Sequence, residues 1–372
     1  MKTKIIRTVA FFLIITVIPA LTLFGKKETV SYNENKVLAE FPEFSFDNYK
    51  SRSFMKGVSS YFSDHFVLRE RFIKLKNALD KAIGKDEING VIEVDGSLIQ
   101  VFRNTEPKTT ERNIAALNKL KAKHSEIPFY FLLAPTAQEK FKSSLPTYLD
   151  ESDENGYISE CFKKLDGIES IDVFKAVTET PYAFYRTDHH WTAECAYAAY
   201  AEAGKSLGYY PLPESFFDIQ TVSSDFKGTL YSKTLNEKIT ADEIKACRNG
   251  SSFTLTVPDK AYNSLYFDKF LCEKDKYLYF LGGNYGVCTV KNNSLNSGKK
   301  LLLIKDSYAN SFIPFIAEHY SCITVIDPRY CSVKQLSAVN PSDFDAVLIL
   351  FNALGFSQEQ SFTIIEFLGE NR

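Results

Sequence analysis

Apolar residues follow two patterns along this chain, one typical of buried strands and one typical of helices. Segments dominated by apolar residues at 127–135, 301–307 and 346–352 predict strands of a parallel sheet that is covered on both faces. Helical spacing of apolar residues at 111–123 and 307–320 places helices beside these strands. The pattern therefore predicts an α/β fold with a mostly parallel sheet and helices on both faces.

Turn and cap residues add local detail to this prediction. Residues 91–102 alternate as a β-hairpin does, with Asp95 and Gly96 suited to a two-residue turn. Thr192 is placed to cap a helix that ends near Gly208. Further short strands are predicted at residues 171–174 and 322–330.

The N-terminal 27 residues have the pattern of a membrane signal. Basic residues precede an uncharged apolar run of 18 residues from Thr8 to Gly25. This run is short for a bilayer span but longer than an ordinary signal-peptide core. The basic flank keeps that end in the cytoplasm and exports the rest. We predict that residues 1–27 are a single-pass signal anchor in the cell membrane; secretion after signal cleavage is the alternative.

The exported part is predicted to contain a linker and one large domain. Residues 28–50 are polar and are interpreted as the linker, and residues 51–372 form the domain. Residues 215–295 mix short alternating segments with polar turns, which predicts an inserted β-rich lobe. An amphipathic helical region opens the domain, with these apolar positions at helical spacing: Met55, Val58, Tyr61, Phe62, Phe72, Leu75 and Leu79.

Composition and charge exclude several classes of function. A hydrophobic content of 45% suffices for a core, and a net charge of -2 gives no attraction to nucleic acid. The seven cysteines are scattered and never form a CxxC pair, so neither a disulfide framework nor a structural zinc site is predicted. We predict no metal and no cofactor.

Ser307 is the candidate nucleophile. It follows the strand of residues 301–304 and precedes a helix, so its hydroxyl is expected at the edge of the sheet. Backbone N–H groups at the start of that helix would point at a developing oxyanion, and the helix dipole would stabilise its charge. The flanking residues lack the glycines of a G-x-S-x-G elbow. The alternative is a helix N-cap serine.

Asp188 and His190 are the candidate partners of a nucleophile. A serine needs a base, and the base needs an anion that fixes its tautomer; an Asp-x-His loop can supply both. Trp191, the only tryptophan of the chain, is a candidate wall of the site or a surface for stacking a sugar. A polar turn is the alternative, and a metal site of Asp188 with His189 or His190 is a third reading. Adjacent side chains rarely converge on one ion, so the metal reading is disfavoured.

Four segments carry a resemblance to a known family. TDHHWT at 187–192, LLLIKDSYANSF at 301–312, FLGGN at 280–284 and IDPRY at 326–330 resemble the DHHW family of bacterial exported proteins. That family is similar to the SGNH-hydrolase-like domains of alginate O-acetyltransferases. The resemblance implies an SGNH-hydrolase-like, flavodoxin-like sheet.

The resemblance also implies roles for the candidate catalytic residues. Ser307 would form an acyl-enzyme, His190 would act as the base, and Asp188 would stabilise the imidazolium.

Accessory residues follow from the same resemblance, because SGNH enzymes complete their oxyanion hole with a Gly and an Asn. Gly283, Asn284 and Asn352 are candidates by residue type and by their positions near strand ends. Asn284 is alternatively a turn residue. Arg329 is a candidate for binding a carboxylate or polarising a substrate, with a structural ion pair as its alternative.

The function implied is an extracytoplasmic O-acyl transfer, of acetyl, onto a cell-envelope or exported polysaccharide. A multi-spanning membrane acyltransferase would deliver the acyl group as a partner. An esterase with the same triad is one alternative. A non-catalytic envelope or carbohydrate-binding protein is another, since a fold alone does not confer function.

Overall fold

The structure is a computed structural model, and it divides the chain into two compact units. The first comprises residues 1–89 and 231–238, and the second comprises residues 90–230 and 239–372. The structure describes residues 2–24, 29–31, 36–149 and 153–370. The predicted boundaries at residues 27 and 50 stay predictions.

The strands and helices of the described residues alternate along much of the second unit. The strands are β1 (Val30–Ser31), β2 (Lys36–Val37), β3 (Glu87–Ile88), β4 (Val91–Val94), β5 (Ser97–Gln100), β6 (Phe129–Ala134), β7 (Glu169–Ile171), β8 (Asp218–Phe226), β9 (Asp242–Arg248), β10 (Phe253–Val257), β11 (Lys260–Tyr262), β12 (Val287–Asn292), β13 (Lys300–Lys305), β14 (Cys322–Ile326) and β15 (Ala346–Asn352). The α-helices are α1 (Lys2–Phe24), α2 (Phe46–Lys50), α3 (Ser53–Asp64), α4 (Arg69–Ala82), α5 (Pro107–Lys123), α6 (Ala137–Lys140), α7 (Glu154–Lys163), α8 (Phe174–Glu179), α9 (Ala193–Leu207), α10 (Thr229–Thr234), α11 (Ala309–Ile316), α12 (Val333–Ser337) and α13 (Ala353–Gln358). Short 3-10 helices lie at Lys142–Ser144, Thr147–Leu149, Glu214–Phe216, Asp268–Cys272, Lys276–Tyr279, Ala317–His319, Pro328–Tyr330, Pro341–Asp343 and Phe362–Phe367.

A mixed sheet of eight strands organises the second unit. Its order is β11-β10-β12-β14-β13-β15-β6-β7. The neighbours from β14 to β7 run parallel, whereas β12, β10 and β11 add an antiparallel edge beside β14. This confirms the predicted mostly parallel α/β sheet. Within residues 215–295, β8 and β9 pair with each other, whereas β10, β11 and β12 extend the main sheet.

Both faces of the sheet are buried, which explains its uninterrupted apolar strands. On β13, Leu301 and Leu303 belong to the core cluster that α9 and α11 share, whereas Leu302 and Ile304 belong to the cluster of α5 and α13. Successive strand residues point to opposite faces, so a strand between two helix layers must be apolar at every position. This packing fixes the position of β13, and Ser307 lies two residues after the end of that strand.

The predicted turn is confirmed, and two predicted strands end earlier than expected. The strand predicted at 322–330 ends at Ile326 and is followed by the 3-10 helix Pro328–Tyr330. Val94 pairs with Ser97 across the predicted turn, where Asp95 and Gly96 have φ of 47° and 72°, as a type I′ turn requires. The segment predicted as a strand at 171–174 is a strand only to Ile171. Residues after Ile171 no longer pair with β6, and helix α8 begins at Phe174. The predicted linker contains helix α2, capped by its preceding serine.

Helix α1 is the apolar element of the N-terminus. Lys4–Thr22 has 19 residues and a mean hydropathy of 2.2, and it is the one helix among the described residues that is long and apolar enough to cross a membrane. A signal sequence has the same features. Residues 25–28 and 32–35, which belong to the predicted anchor and linker, lie outside the described residues.

Candidate active site

A buried carboxylate holds the loop that carries Asp188 and His190. Asp242, at the start of β9, accepts the backbone N–H groups of Arg186 at 2.7 Å and Thr187 at 2.8 Å, and the hydroxyl of Tyr182 at 2.5 Å. Burial raises the pKa of Asp242, and these donors offset part of that effect. The loop is therefore fixed before it reaches the candidate catalytic residues.

Asp188 uses both carboxylate oxygens. Its Oδ1 lies 2.5 Å from His190 Nδ1 and accepts the His190 backbone N–H at 3.0 Å. Its Oδ2 accepts the backbone N–H of Thr229 at 2.7 Å and the Thr229 hydroxyl at 2.9 Å. Burial would raise the pKa of Asp188, but the neighbouring charges of His189 and His190, together with these hydrogen bonds, lower it below its ordinary value. The carboxylate is thus charged, and it holds the proton of His190 on Nδ1.

Ser307 completes a hydrogen-bonded row with these residues. Its Oγ lies 2.7 Å from His190 Nε2. Since Nδ1 of His190 carries the proton toward Asp188, Nε2 is the nitrogen that accepts from the serine hydroxyl. The structure therefore brings together Asp188, His190 and Ser307, which are separated by up to 119 positions in the sequence. Their catalytic roles stay a prediction.

The turn that presents Ser307 is fixed by Asp306. One carboxylate oxygen accepts the N–H of Tyr308 at 2.9 Å, and the other accepts the N–H of Asn352 at 2.8 Å and its Nδ2 at 2.7 Å. Burial raises the pKa of Asp306. This carboxylate joins the ends of β13 and β15, so the serine follows a turn that two neighbouring strands support.

Tyr277 packs directly on the base. Its ring is stacked on His190, with centroids 3.6 Å apart and planes 9° from parallel. Its hydroxyl donates to the Ser307 carbonyl at 3.1 Å and lies 3.1 Å from Ser311 Oγ. Burial raises the pKa of Tyr277 well above its ordinary value, so the phenol stays protonated. One side chain thereby positions both the imidazole and the serine.

The backbone N–H of Ser307 is a candidate oxyanion donor. Within the part of the chain that the structure describes, it has no hydrogen-bond acceptor. The next helix, α11, begins at Ala309, and the N–H groups of Ala309 and Asn310 donate to the carbonyls of Asp306 and Ser307, both at 3.2 Å. The helix therefore contributes its dipole at this turn, and the free donor is the N–H of Ser307. The arrangement suits an anion that forms beside Ser307.

Asn284 is tied to the turn that carries Ser307 through a buried lysine, Lys305. Lys305 donates to Asn284 Oδ1 and to Asn310 Oδ1, both at 2.7 Å, and lies 3.4 Å from Asp327. Burial lowers the pKa of Lys305. Gly283 has φ of 131°, a conformation that favours glycine. This network holds Asn284 through its side-chain oxygen, Oδ1. An oxyanion role for Gly283 or Asn284 stays a prediction.

Three other predicted accessory residues have structural contacts. Trp191 is 0% exposed and its Nε1 donates to the Tyr308 carbonyl at 2.9 Å, so the suggestion that it stacks on a sugar is wrong. Asn352 caps α13 by accepting from the N–H of Gly355 at 2.7 Å, and its side-chain Nδ2 donates to Asp306. Arg329 forms a two-point ion pair with Asp327, at 2.8 and 2.6 Å, which is the alternative that its sequence left open.

Among the residues that the structure describes, Asp188, His189 and His190 have metal-ligand atoms in mutual reach. One ligand atom from each lies within 4.8 Å of the others. However, the closest of these contacts is the hydrogen bond between Asp188 and His190, and Nδ1 of His189 lies 2.7 Å from the Thr229 hydroxyl. The Nδ1 atoms of both histidines and the two carboxylate oxygens of Asp188 are thus engaged in hydrogen bonds. The set is better suited to moving a proton than to holding an ion.

Sequence reasoning missed four residues of this site. Tyr277, Thr229, Gly228 and Asp242 contact the catalytic loop or base from distant positions in the chain. Gly228 approaches Asp188 so closely that an added Cβ would lie 2.2 Å from Oδ2. A Gly-Thr pair before a helix indicates only a helix start. Nothing in the sequence connects these residues to Asp188.

Comparison with known proteins agrees with the resemblance read from the sequence. Residues 167–326 match the family profile described as DHHW protein, which confirms the predicted family. No curated protein matches the chain. A crystal structure of a DHHW family protein from Eubacterium siraeum DSM 15702 aligns at 24% identity with a TM-score of 0.64, over 75% of this chain and 95% of that one.

Two further solved structures align with this chain. Bacillus cereus PatB1, solved with a sulfonyl adduct, aligns at 17% identity with a TM-score of 0.60, over 73% of this chain and 98% of its own. The O-acetyltransferase domain of Pseudomonas putida AlgJ is more distant, at 12% identity and a TM-score of 0.45, over 73% and 93% of the two chains. The similarity to PatB1, at 17% identity, shows the fold and nothing finer.

Proposed function

We propose that this chain, a DHHW family protein by its match over residues 167–326, is an extracytoplasmic O-acyltransferase. In this proposal, an SGNH-hydrolase-like domain transfers acetyl groups to a cell-envelope or exported polysaccharide. The acyl group passes through an ester on Ser307, and His190 and Asp188 assist both steps.

The observation that carries the proposal is the geometry of the three side chains. Ser307 Oγ lies 2.7 Å from His190 Nε2, and His190 Nδ1 lies 2.5 Å from Asp188 Oδ1. Both distances are those of hydrogen bonds, in the order in which a proton must move. As Ser307 Oγ attacks the acyl carbonyl, its proton passes to Nε2. The imidazolium so formed is stabilised by the charged Asp188, which keeps its own protonation state.

The tetrahedral intermediate then needs donors for its oxyanion. The N–H of Ser307, which has no acceptor among the described residues, and the dipole of α11 suit this role, with Gly283 and Asn284 as the proposed additional donors. Loss of the leaving group, which takes the proton from His190, gives the acyl-enzyme. Removing one such donor typically costs about 100-fold in kcat or more.

The acceptor decides between transfer and hydrolysis. His190 Nε2 takes the proton of an incoming hydroxyl, that hydroxyl attacks the acyl carbon, and the Ser307 oxygen leaves with the proton. A sugar hydroxyl gives a transferase and water gives an esterase. The resemblance favours a polysaccharide, with a multi-spanning membrane acyltransferase as the source of acetyl, and α1 fits a site beside that membrane.

The proposal is tested with the purified full chain and an activated acetyl ester, with and without envelope oligosaccharides. Mass spectrometry measures acetylated oligosaccharide against free acetate. Ser307→Ala and His190→Ala are expected to abolish both products. Ser143→Ala, which removes an exposed hydroxyl from the 3-10 helix Lys142–Ser144, serves as the control and is expected to leave them unchanged.

Each result of this experiment has a distinct meaning. Acetylated sugar that depends on Ser307 supports the transferase. Free acetate alone, unaffected by any acceptor, would replace it with the esterase. Neither product from a folded chain would contradict both and leave a binding protein.

A further inference from the structure

Helix α4 in the first unit has an exposed apolar stripe that the proposed catalysis does not use. Within α4, Phe72, Leu75 and Leu79 lie at spacings of three and four residues, which places them within an arc of about 60° on a helix of 3.6 residues per turn. Leu68 and Ile83 are the cap residues that precede and follow the helix. The exposed fractions of these residues are high for apolar side chains: Leu68 52%, Phe72 46%, Leu75 55%, Leu79 57% and Ile83 73%. A continuous exposed stripe of this kind indicates a surface with a partner.

The opposite face of α4 is occupied by its own unit. Asn77 is buried and its Nδ2 donates to the Thr234 carbonyl at 2.8 Å. Lys74 forms an ion pair with Glu237. These contacts orient the helix, so the apolar stripe faces outward because the polar side already has its partners.

The charge of α4 indicates the chemistry of the missing partner. The helix contains five basic residues and two acidic ones, a formal charge of +3. Arg71 and Lys76 lie on the two flanks of the stripe. Lys76 forms an ion pair with Asp80 at 2.8 Å, but its side chain is 65% exposed, so both long side chains can reach away from an apolar layer toward anionic groups. A basic amphipathic helix with this distribution is typical of one that lies in a membrane interface.

The start of α4 is joined to the end of the apolar helix α1. The backbone N–H of Val67 donates to Thr22 Oγ1 at 3.3 Å, and Thr22 is buried. The 19 residues Lys4–Thr22 extend about 28 Å at 1.5 Å per residue, close to the ~30 Å hydrocarbon thickness of a bilayer. With α1 across the membrane, Thr22 lies at its far boundary, and α4 begins there.

We propose that α4 is an interfacial helix, which places its apolar stripe in the outer leaflet of the same membrane that α1 crosses. Leu68, Phe72, Leu75, Leu79 and Ile83 would enter the boundary of the acyl chains, and the basic flanks would contact anionic lipid headgroups. The observations favour lipid over a protein partner because the tether at Thr22 already holds α4 beside the bilayer. This surface is independent of the catalytic chemistry.

The test uses the full chain reconstituted in vesicles that contain phosphatidylcholine, anionic phosphatidylglycerol and a phospholipid with a photoactivatable acyl chain. After illumination, peptides that carry lipid are identified by mass spectrometry. We expect adducts on residues 4–22 and also on residues 68–83. Leu75→Glu combined with Leu79→Glu should reduce the second set about tenfold or more, since a charge in the acyl region opposes insertion.

A matched control and the folding state keep the result interpretable. Tyr210→Glu replaces a side chain that is 94% exposed in the second unit and should leave all adducts unchanged. Unfolding midpoints of both variants should equal that of the wild type, since the substituted side chains are exposed. Adducts on 4–22 without any on 68–83 would overturn the proposal, as would crosslinks between two copies of the chain through α4. A lack of adducts on 4–22 would overturn its premise.

Discussion

The contact between Gly228 and Asp188 gives a steric test of the site. A Cβ added to Gly228 would lie 2.2 Å from Asp188 Oδ2 and 2.4 Å from its Cβ. These distances are more than 1 Å shorter than contacts between non-bonded heavy atoms. In Gly228→Ala, Asp188 must therefore move by about 1 Å, which breaks or lengthens its bonds to His190 and Thr229.

The size of the effect follows from that displacement. A misplacement of 1 Å in a catalytic constellation costs about 100-fold in rate. The complete loss of the orienting carboxylate costs about 10⁴-fold in the serine-protease triad, which sets an upper limit. We expect Gly228→Ala to lower kcat for an activated acetyl ester by about 100-fold, with a smaller change in KM.

The assay compares steady-state rates of four purified full-length variants. Gly250→Ala is the matched control, because an added Cβ there meets no atom within 4 Å. Asp188→Gly, which removes the carboxylate together with the clashing Cβ, and the double variant Gly228→Ala/Asp188→Gly test whether the glycine at 228 acts through the carboxylate. Once Asp188 is absent, the alanine at 228 should cost little further activity.

Two outcomes would refute this reasoning. Wild-type activity in Gly228→Ala would mean that the carboxylate position does not limit catalysis. An equal loss from Gly228→Ala with and without Asp188 would mean that the glycine acts by another route. In either case, unfolding curves of each variant separate a local effect from global destabilisation.

Three further predictions follow from single contacts. Tyr277→Phe keeps the ring stacked on His190 but removes the hydrogen bond from the Tyr277 hydroxyl to the Ser307 carbonyl. We expect kcat to fall about fivefold, which corresponds to about 1 kcal/mol. An unchanged kcat would contradict the role of this hydroxyl in positioning Ser307. Asp306→Ala leaves the buried N–H groups of Tyr308 and Asn352 without acceptors, so the free energy of unfolding measured in urea should fall by about 2–4 kcal/mol. A change under about 0.5 kcal/mol would contradict the proposed role of Asp306 in holding the turn. Burial raises the pKa of Glu154 to about 8 from an ordinary 4.5. The folded chain therefore holds more protons between these values, and its stability should fall as pH rises through that window. Calorimetric Tm should drop from about pH 5 to about pH 8.5, and Glu154→Gln should reduce the drop.

The sequence predicts much of this fold because its signals are local. Apolar runs such as residues 346–352 are buried on both faces and become strands with the predicted bounds. Thr192 and Gly208 cap α9 as their residue types require. By contrast, residues 171–174 were predicted as one strand, but the sheet ends at Ile171 because pairing with β6 stops there.

The candidate site was predictable only as far as its residues are defined by short motifs. Asp188 and His190 are two positions apart, so their contact is nearly local. Their approach to Ser307 depends on the topology of the sheet, which the strand pattern indicates. Tyr277 and Gly228 reach the site through long-range packing, for which one sequence carries no signal. For Trp191 the sequence suggested a role that the structure does not allow. Its position beside the Asp-x-His motif suggested a surface for stacking a sugar, but its side chain is completely buried.

The most direct test of the central claim is to trap the nucleophile. A sulfonyl fluoride reacts with an activated hydroxyl: the Oγ–S bond forms, fluoride leaves, and the base takes the proton. PatB1, which shares this fold, has been solved with a sulfonyl adduct. Intact-mass and peptide mapping of the treated full chain should reveal one adduct on Ser307, absent from Ser307→Ala and strongly reduced in His190→Ala. A folded wild-type chain with no adduct, or with the same adduct in Ser307→Ala, would contradict the account.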